Sequence, residues 1–342
     1  MFDNRNLPAL KSREEMLEIL QREEYGYLPP KPDAITWEVI PREVMPREIK
    51  NFACGNATVE KVIAHCKLGD REFSFPFYAI LPTAPGKHPF FAFVNFYDPI
   101  PNRYLPAEEL VDNGFGVLMV CYKDVTSDDG DFTNGLAGVL YQDGKRGPTD
   151  AGKIAMWAWA CHRLMDYAET RPELDTARCA VCGHSRLGKT ALLAAATDER
   201  FPIGYSNDSG CSGAAITRGK QGETAAKIYN KFPFWFCENY EKYGDNEEHM
   251  PFDQHYLLAS IAPRKVLVGS ASEDAWADPV SEQLCCMAAS PAFEKGYVGP
   301  DRPAEIGEAF MEGDIGYHLR KGSHYFGRAD WHRLMEFLNK KV

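Results

Sequence analysis

The sequence predicts an α/β fold in three layers, a mostly parallel central sheet with helices on both faces. Two observations carry this expectation. Short, continuous apolar runs bounded by turn residues, HPFFAFVNF and GFGVLMVCY, read as strands buried on both faces. Such runs alternate with helical stretches such as DAGKIAMWAWACHRLMDYAET, and strands separated by helices pair in parallel through right-handed crossovers. The 342 residues are enough for one domain of this kind with elaborations.

Taken in order, residues 1–34 read as an N-terminal extension: a helix, SREEMLEILQREEYG, then the proline-rich YLPPKPDAI. TWEVI, TVEKVIAHCKL and EFSFPFYAILP alternate or run apolar, so the sheet is expected to open antiparallel. The two buried strands come next, then a long polar loop from Lys123 to about Thr149 and the 150–170 helix. ARCAVC reads as a strand leading into the helix KTALLAAA. PIGYSND, KVLVGS and IGYHLRKG read as further strands, and DWHRLMEFLNKK as the last helix. Residues 210–254 are rich in aromatics (IYNKFPFWFCENYEKY) and too long for a plain connection, so they are expected to roof a pocket.

The formal net charge of −11 argues against nucleic acid or an anionic membrane as partner, because phosphate contacts need clustered Lys and Arg. No stretch approaches the ~18 apolar residues of a membrane span. Ten scattered cysteines suit a reducing compartment, and the start of the chain lacks a basic segment followed by an apolar run. The expectation is a cytoplasmic location, with secretion the alternative if an export signal has been removed. Cys179 and Cys182 form a C-x-x-C within a strand, where residues three apart face opposite sides and cannot share a metal. His249 and His255 with nearby carboxylates make no zinc set, and no metal or cofactor is expected.

The chemistry concentrates at Gly183-His184-Ser185-Arg186-Leu187-Gly188-Lys189-Thr190. These letters satisfy the phosphate-loop pattern G-x-x-x-x-G-K-[ST], and they also fit a nucleophile elbow. Position decides between them. A phosphate loop comes after the first strand of its domain, whereas four or five strands precede this one. PIGYSND, downstream, is too polar for a magnesium-binding strand.

An elbow serine needs a base to take its proton and an acid to orient that base. RKGSHYFG supplies His324 in a glycine-containing loop before the last helix. KVLVGSASEDAWADP supplies Asp274 after an apolar strand. The chain order Ser, Asp, His is that of the α/β-hydrolases. Glycine normally stands two residues after the serine; here Leu187 does, and Gly188 comes after it.

The elbow resembles the G-C-S-R-x-G-K motif of the glucuronoyl esterases, a carbohydrate esterase family with an α/β-hydrolase fold. AMWAWACHRLMD, NDSGCSGAA, MPFDQHYLLASIAPRKVLV and the late GSH extend the resemblance through the second half of the chain. It implies cleavage of the ester between a xylan-borne glucuronic acid and a lignin alcohol. Acetyl xylan or acetylated-oligosaccharide esterase activity is the alternative, and a non-catalytic carbohydrate-binding relative a remote one. By resemblance Ser185 is the nucleophile, His324 the base, Arg186 an oxyanion stabiliser, and Lys189 and Trp276 sugar contacts. Two positions compete for the acid: Asp208, where many members carry a glutamate, and Asp274, two residues before Trp276. The shorter aspartate side chain disfavours Asp208. Glutamine and glutamate sugar contacts in the family correspond here to Ala226 and to Phe232 or Phe234, so an apolar wall is expected there.

Plainer readings stand beside these. His184, next to the serine on a sharp turn, is expected to pack away from it. His255 reads as structural, Lys189 equally as a solvated helix residue, Trp276 as core, and Phe232 to Phe236 as core or pocket wall.

Overall fold

The computed structural model describes residues 5–41, 45 and 52–342, so the first four residues of the predicted extension lie outside it. The strands are β1 (Ala34–Val39), β2 (Ala57–Leu68), β3 (Arg71–Pro82), β4 (His88–Asn95), β5 (Gly116–Cys121), β6 (Leu174–His184), β7 (Ile203–Asn207), β8 (Lys265–Ala271), β9 (Ala309–Phe310) and β10 (Ile315–Arg320). They form one sheet in the order β1-β2-β3-β5-β4-β6-β7-β8-β10-β9. The first three are antiparallel, β5 to β10 through β4, β6, β7 and β8 are parallel, and β9 closes the far edge antiparallel. The fold is the α/β-hydrolase fold that the sequence predicts.

Five helices frame the sheet and its site: α1 (Arg13–Leu20), α2 (Lys153–Ala168), α3 (Arg186–Thr197), α4 (Pro279–Ala289) and α5 (Arg328–Lys341). The hydroxyl of Ser12 accepts from the Glu15 N–H while Glu15 accepts from the Ser12 N–H, a capping box that starts α1. One apolar cluster unites α2, α3 and α4 with one face of the sheet through Trp157, Leu164, Leu192 and Leu284. A second joins α5 to the other face through Trp331, Leu334 and Phe337. Cutting Leu192 back to Ala, with no water to fill the gap, would cost about 2–5 kcal/mol. Cys179 belongs to the first cluster and Cys182 to the second, as two residues three apart on a strand must.

The structure departs from the sequence reading between Lys123 and Thr149. That stretch is not plain loop: Tyr122–Val125 and Gly135–Leu140 are short helices around a turn of Ser, Asp and Asn side chains. Lys153, the first residue of α2, is fully buried and organises the turn, its Nζ donating to Thr126 Oγ1 (2.8 Å) and the Asp131 carbonyl (2.6 Å). Helix α4 has a capped start at Asp278 and Pro279 but no polar face to mark its length, because Ser281, Glu282 and Gln283 are themselves buried.

Candidate active site

Four neighbouring parallel strands deliver the site from their carboxyl ends: β6 leads into Ser185, β7 into Asp208, β8 toward Asp274 and β10 toward His324. In open α/β sheets this edge is where ligands bind. Ser185 has φ 58°, ψ −128°, a conformation side chains avoid, held between the last strand residue, His184, and the first helical residue, Arg186. The glycines explain the unusual spacing. A Cβ on Gly183 would lie 2.1 Å from the Leu187 carbonyl oxygen, and one on Gly188 would lie 2.9 Å from Ser206 Oγ on β7. Leu187 instead points fully into the core. The tight approach falls at residue 188, so glycine is required there and not at 187.

The same geometry removes the phosphate-loop reading. Strand and helix are separated by one residue, leaving no loop of N–H groups to wrap a phosphate. Lys189, which would have to reach that phosphate, is buried, with Nζ donating to the Ser209 (2.5 Å) and Cys211 (2.6 Å) carbonyls.

His324 Nδ1 lies 2.6 Å from Asp274 Oδ2, and the second oxygen of Asp274 accepts from the Ala277 N–H at 3.1 Å. Burial would raise the Asp274 carboxyl, but the His324 hydrogen bond and charge, with the Ala277 N–H, hold it below the usual range. Asp208 lies in the same cluster, with a ligand-type atom within 4.8 Å of those of Asp274 and His324, yet it is bonded elsewhere. Its Oδ2 accepts from Arg320 Nη2 at 2.9 Å, and its Oδ1 has no partner. Burial and the nearby Glu282 carboxylate push its proton affinity up, which makes it a poorer partner for an imidazolium. Arg320 also bonds Asp330 (2.9 Å) and the Tyr325 carbonyl, tying down the loop that carries His324.

The prediction that His184 packs rather than reacts is met, but not by pointing away from the site. Its ring lies 4.5 Å from that of His324, and its Nδ1 is 2.7 Å from Asn207 Oδ1. Burial, then repulsion from His324, lowers its affinity for a proton to a pKa of about 3, so it stays a neutral wall. His255 is structural: Nε2 reaches the Pro8 carbonyl at 2.9 Å.

A cavity of about 360 Å³ joins Ser185, Arg186, Asp274 and His324 to Lys189, Glu223, Lys231, Phe232, Trp235 and Trp276. Trp276 is 51% exposed at its rim, which overturns the core reading, and Lys227 Nζ sits 5.4 Å from its ring centre. Lys189 is not a solvated helix residue; besides its two carbonyls it lies 3.7 Å from Glu223 Oε2. The apolar wall expected at Ala226 is corrected. Ala226 is buried in packing and does not border the cavity, whereas Glu223, three residues earlier, does. Of the two phenylalanines, Phe232 lines the cavity and Phe234 does not. Trp235, within the aromatic run read as core or pocket wall, lines the cavity as well, whereas Glu223 and Lys231 escaped sequence reasoning because nothing in a 45-residue stretch of mixed polar and aromatic residues marks which turn faces inward. A recess of about 430 Å³ elsewhere, between α1 and α2, is larger but contains His162 committed to the Ala194 carbonyl (3.2 Å) and no elbow serine.

A strained serine at a strand-to-helix turn and a carboxylate-bound histidine, at the carboxyl ends of parallel strands of one sheet, define an α/β-hydrolase. Residues 67–296 match the profile of the family described as "Glucuronyl esterase, fungi", and the chain belongs to this family. It is 41% identical over 234 residues to carbohydrate esterase MZ0003 from an unknown prokaryotic organism, covering 67% of this chain and 54% of that protein. It is 28% identical to 4-O-methyl-glucuronoyl methylesterase 1 of Wolfiporia cocos, covering 82% and 66% of the two chains. The chain thus spans about half to two thirds of these curated relatives. Among solved structures it is similar to a glucuronoyl esterase from Solibacter usitatus, with a TM-score of 0.87 and 30% identity over 99% of this chain and 98% of that one. A promiscuous CE15 esterase from a marine bacterial metagenome has a TM-score of 0.85 and 30% identity, covering 97% and 91%.

Proposed function

We propose that the protein is a serine esterase for a carboxylic ester on a carbohydrate, with an ester of a uronic acid as substrate class. Ser185 Oγ attacks the ester carbonyl while His324 takes its proton. Asp274 fixes the imidazole orientation and stabilises the imidazolium. The carbonyl electrons move onto oxygen, and the Arg186 guanidinium, with N–H groups at the start of α3, faces that charge. Collapse expels the alcohol with the proton from His324. Water, deprotonated by the same histidine, then frees the uronic acid from Ser185.

The single observation carrying this reading is the 2.6 Å pair of His324 and Asp274 in one cavity with the elbow serine. The family relationship supports the carbohydrate ester, and the mixed wall of Glu223, Lys231 and Trp276 suits a hydroxyl-rich ring: charged groups for its hydroxyls, an indole for its apolar face. Steady-state assay on benzyl glucuronate, p-nitrophenyl acetate and acetylated xylooligosaccharide tests it. Benzyl glucuronate should be the best substrate and Ser185→Ala should be inactive on all three. Preference for the acetylated oligosaccharide would replace uronate by acetyl ester. Full activity of Ser185→Ala would overturn the mechanism.

A further inference from the structure

A guanidinium placed to meet a developing oxyanion helps only if it is already in position when the charge appears; a swinging arginine spends the same energy on ordering itself. Arg186 is the first residue of α3 and its side chain is 25% exposed in the cavity. Its guanidinium carbon lies 4.5 Å from the ring centre of Trp235 and 5.5 Å from those of Phe96 and Phe232. The indole of Trp235 is itself stacked on Phe232 at 3.9 Å. At the guanidinium's edge, Nη1 donates to Asp128 Oδ2.

Asp128 is only 8% exposed and has further partners. Its Oδ1 accepts from Trp235 Nε1 at 2.7 Å, and its Oδ2 also accepts from the Tyr122 hydroxyl at 2.9 Å. The indole beneath the guanidinium and the carboxylate beside it are therefore bonded to each other, and the three side chains close into one unit. That unit is anchored, because Asp128 belongs to the turn that the buried Lys153 ammonium organises from within. Among the described residues Asp128 is the one hydrogen-bond partner of the Arg186 guanidinium, whose Nε is buried without one, and Arg186 lines the cavity beside Ser185.

We infer that Asp128 is a positioning residue for the esterase reaction: locked by Trp235 and Tyr122, it holds Arg186 in the orientation that receives the oxyanion. An ordinary surface ion pair would not do this, since exposed pairs contribute little and reorient freely. The inference rests on the proposed role of Arg186 beside Ser185.

A double-mutant cycle on the full chain tests it, with kcat and KM measured on benzyl glucuronate and p-nitrophenyl acetate. Arg186→Ala should lower kcat by about 10²–10³-fold, the usual cost of one oxyanion donor. Asp128→Asn should lower kcat roughly 10-fold or more while KM moves little, as expected for an interaction made only in the transition state. In the Arg186→Ala background Asp128→Asn should cost nothing further, because there is no guanidinium left to hold. Equal factors in both backgrounds would overturn the inference while leaving the serine mechanism intact. A wild-type chain inert on both esters, or an active Ser185→Ala, would instead overturn the serine mechanism and the inference with it. Should Asp128→Asn lose its cooperative thermal transition, Tyr122→Phe takes its place in the cycle. A modest kcat loss confined to the Arg186 background supports the inference, and a loss equal in both backgrounds overturns it.

Discussion

His324 Nδ1 meets Asp274 Oδ2 at 2.6 Å, while Asp208, the other carboxylate within reach, gives its oxygen to Arg320. Two acids beside one imidazole are thereby given separate tasks by their partners. Asp274 is held ionised and aimed at the His324 imidazole. Asp208 shares Arg320 with Asp330, and Arg320 also ties down the loop that carries His324.

The two acids should therefore fail differently. Asp274→Asn removes the charge that orients and stabilises the imidazolium and should lower kcat about 10³–10⁴-fold with little change in melting temperature. Asp208→Ala leaves the buried Arg320 with Asp330 as its remaining carboxylate and should lower the melting temperature while kcat stays within about tenfold, on the distinction between a buried charge that loses part of its pairing and a lost transition-state contact. Comparing kcat and thermal unfolding for the two variants checks this. A larger kcat loss for Asp208→Ala than for Asp274→Asn would exchange the roles.

Trp276 projects from the cavity rim with half its surface in water, so its removal should leave the fold untouched. Trp276→Ala is expected to raise KM for a sugar ester by roughly 3–10-fold, the equivalent of losing one aromatic face of about 0.5–1.5 kcal/mol. KM for p-nitrophenyl acetate, which has no pyranose to stack, should stay put. Equal effects on both substrates would show that the indole serves the reaction rather than the ring.

Lys189 presents the opposite case. Its ammonium is buried against two carbonyls and lies near Glu223, so Lys189→Met should leave two carbonyl acceptors without their donor and a carboxylate without its cation. Thermal stability should fall by about 1–3 kcal/mol per group left unsatisfied, together with activity. If Lys189→Met melts like the wild type and loses only uronate turnover, the lysine acts on the sugar directly and not by fixing the wall.

The depth to which the site could be read in the sequence depends on its chemistry. Ser185, Asp274 and His324 are legible because each must come after a strand, and apolar strands announce themselves by composition. Gly188 is legible as a departure, but its cause, Ser206 on the next strand, is a tertiary contact. Asp128 is not legible. It sits in VTSDDGDFTN, which reads as a solvated turn, and only folding brings it to an arginine 58 residues away. Ala226 misled for a related reason: position in an aligned stretch fixes the helix but not which of its turns faces the cavity.

Glu24 ties the N-terminal segment to the aromatic insert, its carbonyl accepting from the Cys237 N–H and its side chain from Gln254 Nε2 at 2.9 and 3.0 Å. Complete burial pushes its pKa up to about 8, against 4.5 when exposed; the Gln254 and Ser212 hydrogen bonds oppose the shift without cancelling it. Below pH 4.5 the group is protonated whether or not the chain is folded and costs nothing. Between 4.5 and about 8 the unfolded chain has lost a proton that the folded chain keeps, so stability drains away as pH rises, by up to about 1.4 kcal/mol per pH unit. Glu282, pushed by burial to about 7, adds a slope of the same sign. Glu24→Gln preserves an acceptor for Gln254 but cannot ionise. Its melting temperature should therefore fall less than that of the wild type between about pH 5 and 8, with the two curves converging at the acid end. Parallel curves across that window would mean that Glu24 ionises within the folded protein as freely as in water, and that the join between the N-terminal segment and the insert is not dry.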